Sequence, residues 1–168
     1  VLIDSEPTWQ QIEIEVLGGL GAPIDTQNVQ TTTGWRIDRV VEYWRERSSF
    51  TEDTDSIAKR ITQKVADRIQ QMGVPLPGAI PLLHACVAEG IPIGLATSSS
   101  PILIDAVLTR LQIQEVFAAI ASASEVPEGK PDPAVYRLCA NRLGIPAQAC
   151  LAIEDSCTGI RSAVAAGM

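Results

Sequence analysis

A chain of 168 residues, 46% of them hydrophobic, has room for one ordinary domain, or for a small domain with part of another. Its net charge of −7 argues against nucleic acid or an anionic membrane as the main partner, while leaving room for a small anion held by one lysine or arginine. No run of about 18 uncharged apolar residues marks a membrane span. Cys86, Cys139, Cys150 and Cys157 have neither CxxC spacing nor histidine-rich neighbours, which speaks against zinc or a disulfide framework and for reduced thiols in a cytoplasmic protein.

In chain order, residues 8–74 read as helices with no convincing strand. Val40, Val41 and Trp44 mark a short helix after Gly34, and Ile57, Ile61, Val65, Ile69 and Met72 recur at spacings of three or four, an amphipathic stripe. Trp35 and Trp44 are expected in or at the edge of this helical core, with residues 45–55 as a solvated loop. The stretch "GVPLPG" (73–78) is Pro/Gly punctuation suited to a hinge.

From residue 79 the pattern alternates. A helix at 79–89 leads to the apolar run "IPIGLA" (91–96), then a helix at 101–111. The run "VFAAIAS" (116–122) gives a second strand, followed by a helix at 132–143; "CLAIE" (150–154) gives a third, with a last helix starting near Ser156. Apolar strands separated by helices predict the α/β class, a Rossmann-like parallel sheet covered on both faces. Ligands of such sheets gather at the carboxyl ends of the strands.

Three strand ends carry candidate chemistry. The first reaches Thr97, Ser98, Ser99 and Ser100 before Pro101 opens a helix, an arrangement suited to an anion or to ordinary hydroxyl capping. The second is followed by "EVPEGKPDP" (125–133), where Lys130 stands between Gly129 and Pro131 and can meet a phosphate or simply water. The third delivers Glu154 and Asp155, hard-oxygen donors suited to Mg²⁺ or an exposed acidic pair at a helix start. Hydroxyls, a lysine and a carboxylate pair in sequence match the needs of phosphoryl transfer.

With these residues in view, the sequence resembles the haloacid dehalogenase-like hydrolases. "LATSS" looks like their second motif, "GKPDP" their third and "IEDSCTGIRSAVAAGM" their fourth, while "VLIDSEPTW" looks like the continuation of a first motif, DxDGxLxDSEP. The stretches "TTGWRIDRVVEYWRER" and "PLPGAIPLLHACVAEGIPIGLATSSSP" are similar to the sugar-phosphatase branch of the β-phosphoglucomutase-like subgroup, with its 2-deoxyglucose-6-phosphate and hexitol phosphatases.

The resemblance implies an incomplete core at 1–7 and 77–168, truncated at its C-terminus, with an inserted α-helical cap at 8–76. It implies a Mg²⁺-dependent phosphatase that hydrolyses a small sugar or polyol phosphate; in the sequence itself no secretory signal is visible and nothing demands more than a monomer. Thr97 and Ser98 would hold the phosphoryl group with Lys130 alongside. Asp155 would ligate Mg²⁺, with Glu154 as second ligand or as a partner behind it. Trp9 would face the substrate, and Arg36 of the cap would bind sugar or phosphate.

Neither aspartate of DxDG is in the chain, which starts at the valine following that position. The family's nucleophile and acid–base pair are therefore expected upstream, and this span alone is expected to be inactive. A β-phosphoglucomutase is a competing reading, although its pattern has a histidine where this chain has Trp9 and an SRxxSL-like stretch where this chain reads "GWRIDRVV". His84, the single histidine, is expected to be structural or on the surface. A non-catalytic phosphosugar-binding module is a reading of another class. Cys157, Gly159 and Ala163 are expected to be small for packing, and loss of the first-motif strand is expected to expose a sheet edge.

Overall fold

The computed structural model describes residues 1–168 and divides them into two units, Asp4–Gly73 and a second made of Val1–Ile3 with Val74–Met168. The first is helical: α1 (Glu6–Gly19), α2 (Ile37–Arg45) and α3 (Thr54–Met72). Pro7 lies in the first turn of α1, where its missing N–H costs no hydrogen bond. At α3 the Asp53 carboxylate accepts from Ser56 N at 3.0 Å, satisfying one of the free donors of the first turn.

The core of this unit brings Ile12, Val16 and Leu17 of α1 together with Val40, Val41 and Trp44 of α2 and Ile57, Ile61, Val65 and Ile69 of α3, all buried. Met72 leaves the expected stripe, at 64% exposure, because it is the final residue of α3, beyond the packed face. Trp35 is likewise exposed, while Trp44 is core.

The second unit is α/β. Its elements are α4 (Ala79–Ala88), β1 (Gly94–Thr97), α5 (Pro101–Leu111), β2 (Ala119–Ser122), α6 (Ala134–Leu143) and α7 (Cys157–Ala166). β1 and β2 pair in parallel, from Gly94↔Ala119 to Thr97↔Ser122. The two-residue period of the strands sends Ala96, Ala119 and Ala121 to a core with Val135, Tyr136 and Cys139 of α6 and Ala163 and Ala166 of α7. Leu95 and Ile120 go to the opposite face, with Leu83 of α4 and Leu108 of α5. A Cβ at Gly94 would lie 2.5 Å from Cys139 Sγ, so only glycine lets α6 settle on β1.

Both strands are shorter than their apolar runs. Ile91 is exposed past the end of α4, and Val116 belongs to a 3₁₀ turn at Gln114–Val116. The third expected strand is not one: residues 150–154 pair with no strand, leaving Leu151 at 90% exposure and Ile153 at 57%. An extended apolar segment becomes a strand only when a neighbour supplies the ladder, and none flanks it here. At the start of the unit, Ile3 bridges antiparallel to Pro75, and Leu76 N donates to Leu2 O at 2.8 Å. No helix is long and apolar enough to cross a membrane, and all four cysteines are free thiols.

Candidate active site

The turn before α6 is held from two sides. Asp132 N donates to Gly129 O at 3.0 Å, and the Asp132 carboxylate accepts from Ala134 N in the first turn of α6 at 2.9 Å. Ser162, fully buried on α7, donates to Asp132 O at 2.6 Å. Lys130 leaves this fixed turn and its side chain, 11% exposed, runs inward. Its ammonium donates to Glu154 Oε2 at 2.6 Å and to Ala96 O at 3.3 Å, and stands 3.4 Å from the Tyr136 hydroxyl.

Glu154 is the centre of the constellation, with its side chain 9% exposed. Its Oε1 accepts from Ser156 Oγ at 2.9 Å and from the N–H groups of Asp155 and Ser156 at 3.2 Å. Its Oε2 accepts from Lys130 and, at 2.6 Å, from the Tyr136 hydroxyl. Burial by itself pushes this carboxyl up; the donors from Lys130, Tyr136 and Ser156 outweigh it and hold the group down at about 2. The Tyr136 hydroxyl is pushed well above its usual range, first by burial and then by its bond to the Glu154 carboxylate.

Asp155, next in the chain, is different: its side chain is 62% exposed, and its Oδ2 lies 2.8 Å from the Val1 amino nitrogen. Ser156 caps α7 by accepting from Gly159 N at 3.0 Å. Thr97, at the end of β1, is half-buried and its hydroxyl accepts from Ser99 N at 3.1 Å, leaving its proton to give; Ser98 is exposed. Ser122, at the end of β2, donates to Ser99 O at 2.7 Å and so ties this loop to the neighbouring strand. Ser100 makes no cap bond, and its buried Oγ has no partner, so the capping alternative does not hold at α5.

Lys130, Glu154 and the end of β1 that carries Thr97 are thus brought together, with Asp155 beside them. Trp9 and Arg36 belong to the helical unit. Trp9 is half-buried on α1. Arg36, just before α2, has a side chain 84% exposed that is already bidentate to Asp38, at 3.2 and 3.0 Å. His84 is exposed on α4.

The donor set bears on Mg²⁺. No three His, Cys, Asp or Glu side chains converge to hold a metal. The exposed carboxylate of Asp155 fits as one hard-oxygen ligand, since Mg²⁺ keeps several waters and takes few protein ligands. Glu154 does not fit as a second: a carboxylate has about four lone-pair sites, and its two oxygens already receive five donors. It fits instead as a partner that fixes the loop behind the metal.

Sequence reasoning missed Tyr136. The signal was a phenol at an apolar helical position six residues after Lys130, since a buried tyrosine needs somewhere to send its hydroxyl. Gly159, expected to be small for packing, makes room for the Glu154 side chain: an added Cβ would lie 2.1 Å from Glu154 Cδ.

Known proteins place this geometry in context. The family model described as haloacid dehalogenase-like hydrolase matches residues 1–167. The chain is 35% identical over 170 residues to hexitol phosphatase B of Escherichia coli K12, covering 100% of this chain and 77% of that protein. It is 29% identical over 167 residues to the fructose-1-phosphate phosphatase YqaB of the same organism, covering 99% of this chain and 88% of that protein. Among solved structures, CbbY of Rhodobacter sphaeroides in complex with phosphate superposes with a TM-score of 0.88 at 22% identity, covering 100% of this chain and 79% of that one, a likeness of fold.

Proposed function

The chain belongs to the haloacid dehalogenase-like hydrolases and is a phosphoric monoester hydrolase, and from that premise we propose that it dephosphorylates a small sugar or polyol phosphate with Mg²⁺ held at Asp155. The observation that carries the reading is the Lys130 ammonium, fixed by Glu154 and Ala96 O at the end of β1, one residue from the Thr97 hydroxyl. The two curated relatives are phosphatases of hexitol and fructose phosphates by name, which supports the substrate class.

Thr97 and Ser98 would receive the phosphate oxygens through hydroxyl and backbone donors. Lys130 would offset the charge that gathers on those oxygens as the ester breaks. When bound, Mg²⁺ supplies Lewis-acid polarisation of the phosphoryl group. The nucleophile is proposed to be an aspartate of the first motif, which the family pattern sets ahead of the stretch at Val1. Its carboxylate oxygen attacks phosphorus as the P–O bond to the sugar breaks, and a second aspartate two residues on protonates the departing oxygen. Water, deprotonated by that second aspartate, then hydrolyses the aspartyl-phosphate to inorganic phosphate and the free carboxylate.

Trp9 is proposed to meet the sugar end of the substrate. Arg36 is its weaker companion, since Asp38 already occupies its guanidinium. Four free thiols are in keeping with a reducing compartment such as the cytoplasm.

The test is phosphate release by the full-length protein from a panel of hexose and hexitol phosphates with Mg²⁺ and with EDTA. Metal-dependent release is the expected result. Conversion of glucose 1-phosphate to glucose 6-phosphate without net release would replace the phosphatase reading with a mutase, and binding without turnover would replace it with a phosphosugar-binding module.

A further inference from the structure

Lysine carries its charge on a flexible four-carbon stem, so a lysine that must meet a phosphate in one place has to be held there. Lys130 is held at three points: Glu154 Oε2 at 2.6 Å, Ala96 O at 3.3 Å and the Tyr136 hydroxyl at 3.4 Å, with the Tyr136 ring centroid 4.8 Å away. Ala96 O is backbone in a paired strand, and so is fixed. Glu154 has no rigid element under it, since residues 150–155 pair with no strand. Its Oε1 is tied by Asp155 and Ser156 at the start of α7, and its Oε2 meets the lysine.

Tyr136 supplies the missing fixed point for that oxygen. The residue is 6% exposed and packed in the core formed by β2, α6 and α7, with only two side-chain torsions to hold, and its hydroxyl donates to Glu154 Oε2 at 2.6 Å. The hydroxyl has one proton, which goes to Glu154, and its lone pairs face the ammonium.

We propose that Tyr136 is a positioning residue for Lys130: by anchoring Glu154 Oε2 to the rigid core and standing against the ammonium, its hydroxyl holds the lysine aimed at the substrate phosphate. The role rests on the phosphatase reading above and adds to it a residue that the motifs do not contain. Tyr136 itself does not touch substrate; it acts through Lys130.

The experiment is a double-mutant cycle in the full-length protein, with Tyr136→Phe, Lys130→Ala and the pair, followed by phosphate release from a hexitol phosphate under single-turnover conditions with enzyme in excess. Tyr136→Phe keeps the ring and removes only the hydroxyl. It is expected to lower the single-turnover rate about tenfold, and to do so only when Lys130 is present, so that the double variant matches Lys130→Ala within about twofold. A merely structural role predicts losses that multiply and a fall in thermal midpoint that tracks them.

Multiplying losses, or a Tyr136→Phe variant as fast as wild type, overturns the proposal while leaving the phosphatase reading intact. Wild-type protein that releases no phosphate overturns the reading, and the proposal with it. A Tyr136→Leu variant, which removes ring and hydroxyl together, is expected to lose thermal stability as well. If Tyr136→Phe loses as much stability as Tyr136→Leu, the hydroxyl is serving the fold and the proposal fails.

Discussion

Glu154 lies directly against Gly159: the two are five residues apart, and a single carbon added to the glycine would fall 2.1 Å from the carboxyl carbon and 2.2 Å from Oε2. The carboxylate cannot swing aside, because Lys130, Tyr136 and Ser156 hold both oxygens. The first turn of α7 is therefore built around a side chain from the segment before it. Gly159→Ala is expected to force Glu154 out of its bonds, lowering kcat/KM at least tenfold and stability by about 1–3 kcal/mol, the usual cost of overpacking a tight site. A variant with unchanged kinetics and unchanged denaturation midpoint would show that the turn gives way freely.

Acid should act on the same pair. The Glu154 carboxyl is held at about 2 against an ordinary value of 4.5, so the folded state binds its proton more weakly than the unfolded chain does. Its contribution is fully present above about pH 4.5 and is lost as pH falls from there toward 2, on the order of 3 kcal/mol for a shift of this size. Carbon NMR of the Glu154 carboxyl is expected to show a midpoint well below 4. A midpoint at the ordinary value would mean that the Lys130 bond does not persist in solution.

Glu13 carries the opposite sign. It is 7% exposed on α1, and burial first, then the charge of Glu6, pushes its carboxyl up from 4.5 to about 7. Below pH 4.5 it is neutral in both states; between 4.5 and 7 the unfolded chain loses the proton that the folded one keeps, so stability falls as pH rises through this window. The penalty at pH 8 comes to about 3 kcal/mol. Glu13→Gln is expected to flatten the pH dependence of denaturation between 4.5 and 7 and to be the more stable protein at pH 8. An identical slope in the variant would refute the assignment.

Lys130→Ala tests the proposed chemistry most directly. Removing a donor aimed at developing charge typically costs 10²–10³-fold, and that loss in kcat/KM is expected for phosphate release by the full-length protein. The variant also leaves Glu154 buried without its cation, so a stability loss of about 3–5 kcal/mol should accompany it. Unchanged kcat/KM in a folded variant would remove Lys130 from the mechanism.

Much of the fold was legible in the chain because helix periodicity and punctuation are local signals. Ile57, Ile61, Val65 and Ile69 mark α3 by spacing alone, and Ser100–Pro101 marks where α5 begins. Strand status was legible in part, because it depends on a neighbour: "IPIGLA" and "VFAAIAS" overlap β1 and β2, while "CLAIE", just as apolar, finds no ladder. In the site, Lys130 and the acidic pair stood out through their placement after strands. Their division of labour did not, since it turns on which donors reach which oxygen. Glu154 and Asp155 are adjacent and chemically alike, yet one is saturated by five donors and the other faces solvent.

The antiparallel bridge between Ile3 and Pro75 has an implication for how such a molecule can be altered. Residues 4–73 leave the α/β unit and return to it at two points held a ladder's width apart, about 5 Å. A segment whose ends are clasped in this way can be lengthened, shortened or exchanged for another without rerouting the chain that receives it. The helical unit is in that sense a cassette: a counterpart of another length can stand between Ile3 and Val74 while the Lys130–Glu154–Tyr136 arrangement, which lies wholly in the α/β unit, stays as it is.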